Sequence, residues 1–141
     1  MKFMYLSAAF MLFASPLRAS EPDTVVTTVV TPLLSTSVTA SGQPIILPQN
    51  DPQVRVSIYE IAPGAVLPEH KHIYPRYGYV LAGTLRVTYT ETGKSDVYRA
   101  GDFIVEAIGQ WHQGANTGID PVKLLVIDQT EKDQNNVVLR K

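Results

Sequence analysis

The 141-residue sequence has no cysteine and no excess of basic side chains. Without thiols the chain can form no disulfide and perform no thiolate chemistry, so an oxidising compartment is tolerated. Its 12 lysines and arginines stand against 13 aspartates and glutamates, and no basic face is expected. Because a basic face is the electrostatic signature of nucleic-acid binding, we predict no nucleic-acid partner.

Methionine is absent after residue 13, and phenylalanine occurs only once beyond that point. Both are concentrated in the apolar run 3–14, which follows Lys2. A basic start and an apolar core of about a dozen residues are typical of a secretory signal peptide, and that core is too short to span a bilayer of roughly 30 Å. We predict a signal peptide at residues 1–19 and a secreted or periplasmic protein with no membrane association after processing. A retained anchor is the alternative.

A helical period is also missing, since apolar residues after the first segment never keep it over ten positions. Short alternating runs recur instead between turns rich in Gly and Pro, which is typical of a β-sandwich or β-barrel. The run 54–58 alternates as in a half-buried strand, and in 84–90 the apolar Leu85, Val87 and Tyr89 share one face. We predict an all-β single domain with strands at 54–58, 84–90, 97–99, 103–106 and 122–128.

The barrel is expected at residues 51–130, between an N-terminal arm and a C-terminal tail. The arm, residues 20–50, is rich in Thr, Val, Ser and Pro. β-branched residues favour extended backbone while prolines exclude a central strand, so edge strands and loops are predicted there. The tail, residues 131–141, is polar and is expected either to be disordered or to pair with a partner subunit.

Two of the three histidines stand one residue apart in the stretch PEHKHIYPRYGYVLAG, residues 68–83. On a strand, residues i and i+2 point the same way, so His70 and His72 would both face the barrel interior. Two imidazoles in that arrangement suit a divalent transition metal, although histidines are also common as ordinary polar residues. The third histidine, His112, lies forty residues later, and whether it reaches the first two depends on the fold.

The spacing around these histidines resembles the two motifs of the cupin superfamily. The first motif is a glycine, five residues, HxH, three or four residues, a glutamate, six residues and a glycine. The second is a glycine, five residues, a proline, any residue, a glycine, two residues, a histidine, three residues and an asparagine. The chain keeps this spacing from residue 64 to residue 116, with two departures. The matching positions are Gly64, His70, His72, Arg76, Gly83, Gly101, Ala107, Gly109, His112 and Asn116.

The resemblance implies a jelly-roll β-barrel that is commonly dimeric, and we expect a homodimer. It also implies that His70, His72 and His112 ligate Fe, Mn, Ni, Cu, Zn or Co. Nitrogen ligands do not choose among these ions. A three-histidine site would leave coordination positions open for water or substrate. A metal-free cupin that keeps its histidines as polar residues is the alternative.

One departure from the family is Arg76, which occupies the glutamate position of the first motif. Arginine has no lone pair to donate to a metal, but it can pair bidentately with a carboxylate. We therefore expect Arg76 to orient a small anionic or enolate-forming molecule against the metal. In the alternative, Arg76 turns outward to a surface carboxylate, and Glu69 or Glu106 supplies the missing ligand. Glu69 has the wrong strand parity for that role.

The aromatic residues near the motifs are predicted to line a small-molecule pocket. These are Tyr74, Tyr77, Tyr79 and Trp111. Tyr77, or equally Tyr74, could act as an acid or base, although either could be a packing residue. Arg76 and Tyr77 are the candidate catalytic residues.

Three classes of function fit the sequence. The first is a metal-dependent enzyme: cupins with three histidines and no glutamate resemble certain thiol and diketone dioxygenases, and a lyase or isomerase is the next choice. The second is a non-catalytic periplasmic protein that binds a metal or a small ligand. The third is a structural or partner-binding cupin that exchanges its arm between subunits. Fold alone does not decide among them.

Overall fold

The computed structural model describes residues 28–141. The predicted signal peptide at 1–19 lies outside the described residues. Between residues 28 and 141 the chain forms strands, turns and loops and no helix. That part of the chain accordingly holds no helix long and apolar enough to cross a membrane.

Nine strands form within this range, all inside one compact unit, Pro32–Lys141. They are β1 (Pro52–Ile61), β2 (His70–His72), β3 (Arg76–Ala82), β4 (Thr84–Tyr89), β5 (Ser95–Arg99), β6 (Phe103–Val105), β7 (His112–Asn116), β8 (Val122–Glu131) and β9 (Val137–Leu139).

The strands make two antiparallel sheets, one in the order β1-β8-β3-β6 and the other in the order β5-β4-β7-β2-β9. Apolar side chains from both sheets fill the space between them. Val80, Leu124 and Val126 come from the four-stranded sheet, and Leu85 and Val87 come from the five-stranded sheet. The prediction of an all-β jelly roll is therefore confirmed.

Strand β4 and its hairpin follow the sequence pattern closely. Leu85, Val87 and Tyr89 are all buried, as their alternation predicts. The turn at 91–94 returns the chain into β5, which pairs with β4 from Thr84↔Arg99 to Thr88↔Ser95. Strand β8 extends three residues beyond the predicted end at 128.

The apolar residues of strand β1 face away from the core rather than into it. Val54, Val56 and Ile58 are 59%, 61% and 48% exposed, whereas Ile61 on the other face is buried in the core. The register explains this: on β8, Ile127 lies between Val56 of β1 and Tyr77 of β3, and Leu125 lies between Ile58 and Tyr79. Together these rows form what we call the outer face, an uncharged group that consists of Val54, Val56, Ile58, Tyr77, Tyr79, Phe103, Leu125 and Ile127. The exposed ion pair of Glu60 and Lys123 continues the same side of the sheet beyond this group.

The edge strands predicted in the arm do not form within residues 28–50. That segment has a single isolated bridge, between Val38 and Pro44, around a turn in which the Thr39 amide donates to the Gln43 carbonyl over 2.8 Å. The prolines remove backbone donors that a longer ladder would need.

The prediction for the tail was wrong. Residues 137–139 form β9, which pairs with β2 of the same chain through His70↔Leu139, Lys71↔Val138 and His72↔Val137. β-branched valines next to an unpaired strand edge favour this addition over disorder. The pairing completes the sheet that carries the histidines.

Gly83, the last residue of the first motif, is required by the connection between β3 and β4. Its φ is +82°, and a Cβ there would lie 2.7 Å from the Pro121 carbonyl oxygen. Any other residue would meet both backbone strain and a steric clash.

Candidate metal centre

Neighbouring strands bring the three histidines together. Strand β2 carries His70 and His72 on one face, and His112, the first residue of β7, lies opposite His70 in the β2·β7 register. The ring centroids are 4.5 Å apart for His70–His112 and 4.9 Å for each of the other two pairs. All three side chains are buried, and His72 is completely so. The structure thus groups the residues that the sequence predicts as ligands.

Glu106 is the fourth member of this group. Its Oε2 lies 3.0 Å from Nε2 of His72 and 3.3 Å from Nε2 of His112, and the two Nε2 atoms are 3.2 Å apart. One ligand atom from each of the four residues lies within 4.8 Å of the others. Glu106 follows β6, where its amide donates to the Arg76 carbonyl over 2.9 Å. The carboxylate missing from the first motif is therefore replaced by one from the second.

Backbone carbonyls orient two of the imidazoles. Nδ1 of His70 lies 2.7 Å from the Pro68 carbonyl, and Nδ1 of His112 lies 2.9 Å from the Gln110 carbonyl. A carbonyl can only accept, so each Nδ1 carries a proton, and Nε2 is the ring atom that can ligate a metal once it is unprotonated. The Nδ1 atom of His72 is buried and has no hydrogen-bond partner within residues 28–141.

These distances fit a shared cation. Two ligand atoms that are each about 2.1 Å from one ion lie about 3.0–3.4 Å apart in octahedral or tetrahedral geometry. The separations among His72, His112 and Glu106 all fall in that range. Without an ion, two facing Nε2 atoms need a proton between them, whereas a metal accepts both lone pairs. The residues present therefore fit a divalent transition metal.

The pKa shifts of the residues in this cluster favour the binding of a cation. Burial raises the pKa of Glu106, but the hydrogen bonds from His112 and His72 outweigh it and hold the pKa well below its usual range. Burial also lowers the pKa of His70 to about 4, so this imidazole is neutral at pH 7. Burial lowers the pKa of His112 as well, but Glu106 reverses the effect and the net shift is upward. A metal would displace the proton that His112 shares with Glu106.

Arg76 matches neither of the two predicted placements completely. It faces inward and is only 4% exposed, which excludes the outward orientation. Its Nε and Nη2 donate to the two carboxylate oxygens of Asp128 over 2.7 and 2.8 Å. Asp128 is its cross-strand partner on β8, so register itself makes this pair. No hydrogen bond within residues 28–141 uses Nη1 of Arg76, and Arg76 is one of the residues that line the central cavity.

That cavity runs from the histidines between the two sheets and encloses about 660 Å³, including its open mouth. Its polar lining residues are Tyr59, His70, Arg76, Glu106 and His112. The rest of the lining is mainly aliphatic, namely Leu67, Pro68, Leu85, Val87, Gly114, Leu124, Val126, Val137 and Leu139. The cavity is thus a largely apolar chamber with one charged end at the histidine cluster.

The predicted aromatic walls are not found, because Tyr59 is the only aromatic residue in the described lining. Tyr77 belongs to the outer face, where its hydroxyl donates to Oε1 of Gln129 over 2.8 Å. Strand parity places it on the opposite side of the sheet from Arg76. The geometry therefore gives no support to Tyr77 as an acid or base, and packing is the role it shows.

Glu69 points away from the histidines, as its parity predicts. Its carboxylate accepts hydrogen bonds from Thr90 and from Nη1 of Arg140. The sequence left Glu69 and Glu106 as alternatives, and only Glu106 joins the cluster. Its position just before Ala107 in the second motif was the available signal, but spacing alone could not show its direction.

The chain belongs to the cupin superfamily. The sequence profile of the Cupin domain family matches residues 57–128, which is more than half of the chain. No curated protein sequence matches it.

Solved structures show the same fold at low sequence identity. The polyketide cyclase RemF from Streptomyces resistomycificus superimposes with a TM-score of 0.53 at 20% identity, and the match covers 62% of each chain. Lactobacillus farciminis oxalate decarboxylase has a TM-score of 0.52 at 22% identity, covering 61% of this chain and 26% of that one.

Bacillus subtilis oxalate decarboxylase, which has Mn(II) centres, has a TM-score of 0.51 at 24% identity over 61% of this chain and 23% of its own. The present chain therefore spans less than two thirds of the length of each of these proteins. The similarity establishes the barrel fold alone.

Proposed function

We propose that this cupin binds one divalent transition metal through His70, His72, His112 and Glu106 and holds a small molecule against it. The observation that carries the proposal is the convergence of Nε2 of His72, Nε2 of His112 and Oε2 of Glu106 within 3.0–3.3 Å of one another. Three imidazoles and a carboxylate suit Mn, Fe, Co, Ni, Cu or Zn, and the donor set does not choose among them.

A bound ion would act as a Lewis acid toward a ligand oxygen. The protein side chains supply the remaining functions. Glu106 keeps its negative charge next to the ion, and the two Nδ1 hydrogen bonds to backbone carbonyls fix the rings of His70 and His112. The aliphatic cavity walls exclude water, which strengthens every charge interaction within the chamber.

The charges around the cavity favour an anionic group at the metal end of the ligand. Asp128 neutralises Arg76 and Glu106 offsets one charge of a divalent ion, so one positive charge remains. Nη1 of Arg76 makes no hydrogen bond in the described protein and can donate to a carboxylate or enolate oxygen. The aliphatic walls match an apolar remainder of that molecule.

The reaction class follows less directly from the site. A three-histidine centre without a glutamate favoured a dioxygenase, and the presence of Glu106 in the cluster removes that premise. A metal-dependent enzyme acting on an enolisable anion, by lyase, isomerase or oxygenase chemistry, is our first candidate. A non-catalytic periplasmic metal- or ligand-binding cupin is the second, because the cluster and cavity would serve binding alone equally well.

Elemental analysis of the exported protein, purified without chelator, tests the metal site. We expect about one metal per chain in the parent, and little metal in Glu106→Gln and His72→Ala. Glu69→Gln is the matched control, since it removes a nearby carboxylate that points away, and it should retain metal. Failure of the parent to hold any of the six ions after reloading would refute the proposal.

We also propose that the protein is exported and that it forms a homodimer. Export is tested by N-terminal sequencing of the mature protein, which should begin near residue 20.

The homodimer is supported by the outer face, an uncharged apolar surface across four strands. Val56→Lys should shift the particle toward monomer in light scattering, and an unchanged dimer would exclude this face.

A further inference from the structure

The C-terminal strand forms part of the wall of the cavity next to the histidines. Strand β9 is the edge of the five-stranded sheet and pairs only with β2, the strand that carries two of the histidines. Leu139 lies opposite His70 and Val137 opposite His72. Directly opposed residues point to the same face of a sheet, so these two side chains point inward, and both line the cavity.

The two ends of β9 are held very differently. At its start, Asn136 is 2% exposed, and its Oδ1 accepts from the amides of Ile73 and Tyr74 over 3.1 and 2.8 Å. Its Nδ2 donates to Oδ1 of Asp128 over 2.6 Å. Hydrogen bonds of a buried amide such as this one are costly to break. Asn136 therefore anchors the strand beside the Arg76–Asp128 pair.

The far end is held at the surface. The Arg140 amide donates to the Glu69 carbonyl over 3.0 Å, and Nη1 of Arg140 donates to the Glu69 carboxylate over 2.6 Å. The guanidinium also lies 5.3 Å from the centroid of the Trp111 ring. Leu139 is 57% exposed. Exposed ion pairs are weak, so this end is the one that can detach.

We propose that residues 137–141 form a latch that opens about Asn136 and controls passage between solvent and the metal cavity. When the latch is closed, Val137 and Leu139 cover the apolar part of the bound molecule. The ion pair between Arg140 and Glu69 then fastens the end of the strand. The inference rests on the proposed metal and ligand site for its purpose, but the motion itself does not depend on a metal.

The latch does not contribute to the hydrophobic core. No side chain of β9 belongs to the buried core cluster of the described residues. A three-residue strand on a sheet edge adds few ladder hydrogen bonds, and local opening is drawn from such weakly held segments. Changes at Arg140 should consequently alter access without unfolding the barrel.

Because the chain has no native cysteine, an engineered disulfide can lock the latch reversibly. Glu69 and Arg140 are opposite each other by continuation of the β2·β9 register, and opposed residues in an antiparallel pair are about 4.5–5.5 Å apart at Cα, within disulfide range. The double variant Glu69→Cys/Arg140→Cys can be locked by oxidation and released by reductant. Arg140→Ala removes the fastening, and Lys71→Ala is the matched control because Lys71 also contacts Trp111.

The experiment loads the whole mature chain with Zn²⁺ and follows uptake and chelator-driven release by stopped flow. Arg140→Ala should accelerate both by up to about fivefold, the most an exposed ion pair contributes. The oxidised double variant should slow both, and reductant should restore them. Because a gate changes entry and exit together, the Kd for Zn²⁺ should be unchanged in every case. Equal rates in the parent, the opened variant and the locked variant would overturn the latch.

Hydrogen exchange separates failure of the latch from failure of the metal site. In the protein without metal, amides of β9 should exchange faster than those of β7, and oxidation of the double variant should protect them. If the parent binds no Zn²⁺ but this pattern appears, the metal proposal fails and the latch stands. If β9 exchanges as slowly as β7 and oxidation changes nothing, the latch is refuted whether or not Zn²⁺ binds.

Discussion

The two faces of β3 carry opposite chemistry within seven residues. Arg76, Gly78 and Val80 lie on the inward face, where Arg76 is paired with Asp128 and a Cβ at Gly78 would lie 3.3 Å from Cδ1 of Leu124. Tyr77 and Tyr79 point outward onto an uncharged apolar surface. The inside of this sheet thus holds the buried charges, while the outside holds the large apolar rings. This distribution supports our two proposals, namely that the interior binds a small molecule and that the outer face contacts a partner.

The largest effect is expected from breaking the inner ion pair. Asp128→Asn removes one charge and leaves the Arg76 guanidinium buried without its counter-ion. The loss should be about 3–5 kcal/mol of unfolding free energy, as for other buried pairs that lose one partner. Urea denaturation measures it.

The outer counterpart is the exposed pair of Lys123 and Glu60, 3.2 Å apart. Glu60→Gln should cost less than about 1 kcal/mol because solvent screens that pair. Similar losses for Asp128→Asn and Glu60→Gln would contradict the contrast between the two faces.

The next effect concerns the metal end of the cavity. If Zn²⁺ binds at the four-residue cluster, a free Zn²⁺ concentration of 100 times the Kd should stabilise the protein by about 2.7 kcal/mol. Glu106→Gln should lose most of that stabilisation at the same Zn²⁺ concentration, while Glu69→Gln should keep it. Thermal unfolding with and without chelator provides the measurement, and an undiminished shift in Glu106→Gln would remove this carboxylate from the ligand set.

A smaller effect is expected from filling the inner face at Gly78. A Cβ at this position would lie 3.3 Å from Cδ1 of Leu124 and 3.5 Å from Cδ1 of Ile104. Gly78→Val should therefore overpack the core and destabilise the protein by about 1–3 kcal/mol. A neutral result in urea denaturation would show that the core around Leu124 can relax.

The smallest effect is expected on the outer face. Val56 is 61% exposed, and Val56→Thr should change the unfolding free energy by less than about 0.5 kcal/mol at concentrations where the chain is monomeric. The same change should become more costly as concentration rises if the outer face joins two chains. A large loss at all concentrations would mean that another part of the chain covers Val56.

Much of the fold could be read from residue patterns. The alternation of Leu85, Val87 and Tyr89 identified β4 and its buried face because packing there obeys a period of two. The same rule assigned β1 as a strand but misjudged its apolar face. The identities of Val54 and Val56 do not indicate which face of the strand will turn toward the barrel interior.

The candidate site was predictable in part for a similar reason. His70 and His72 needed only strand parity, and His112 was assigned by resemblance to the family motif. Glu106 could be proposed but not chosen, since its direction depends on the loop after β6. The prediction of a pocket lined by aromatic residues was wrong, because strand parity places Tyr77 and Tyr79 on the outer face.

Local pattern by itself determined the strands, the turn glycines and the pair of inward histidines, because these depend on backbone geometry over a few residues. Tertiary structure decided which carboxylate joins the histidines and which one neutralises Arg76. Those partners lie 34 and 52 positions away along the chain and meet only through the order and register of the strands. Tertiary structure also placed the C-terminal strand on β2, because the partner of an open sheet edge is chosen by proximity in the folded chain.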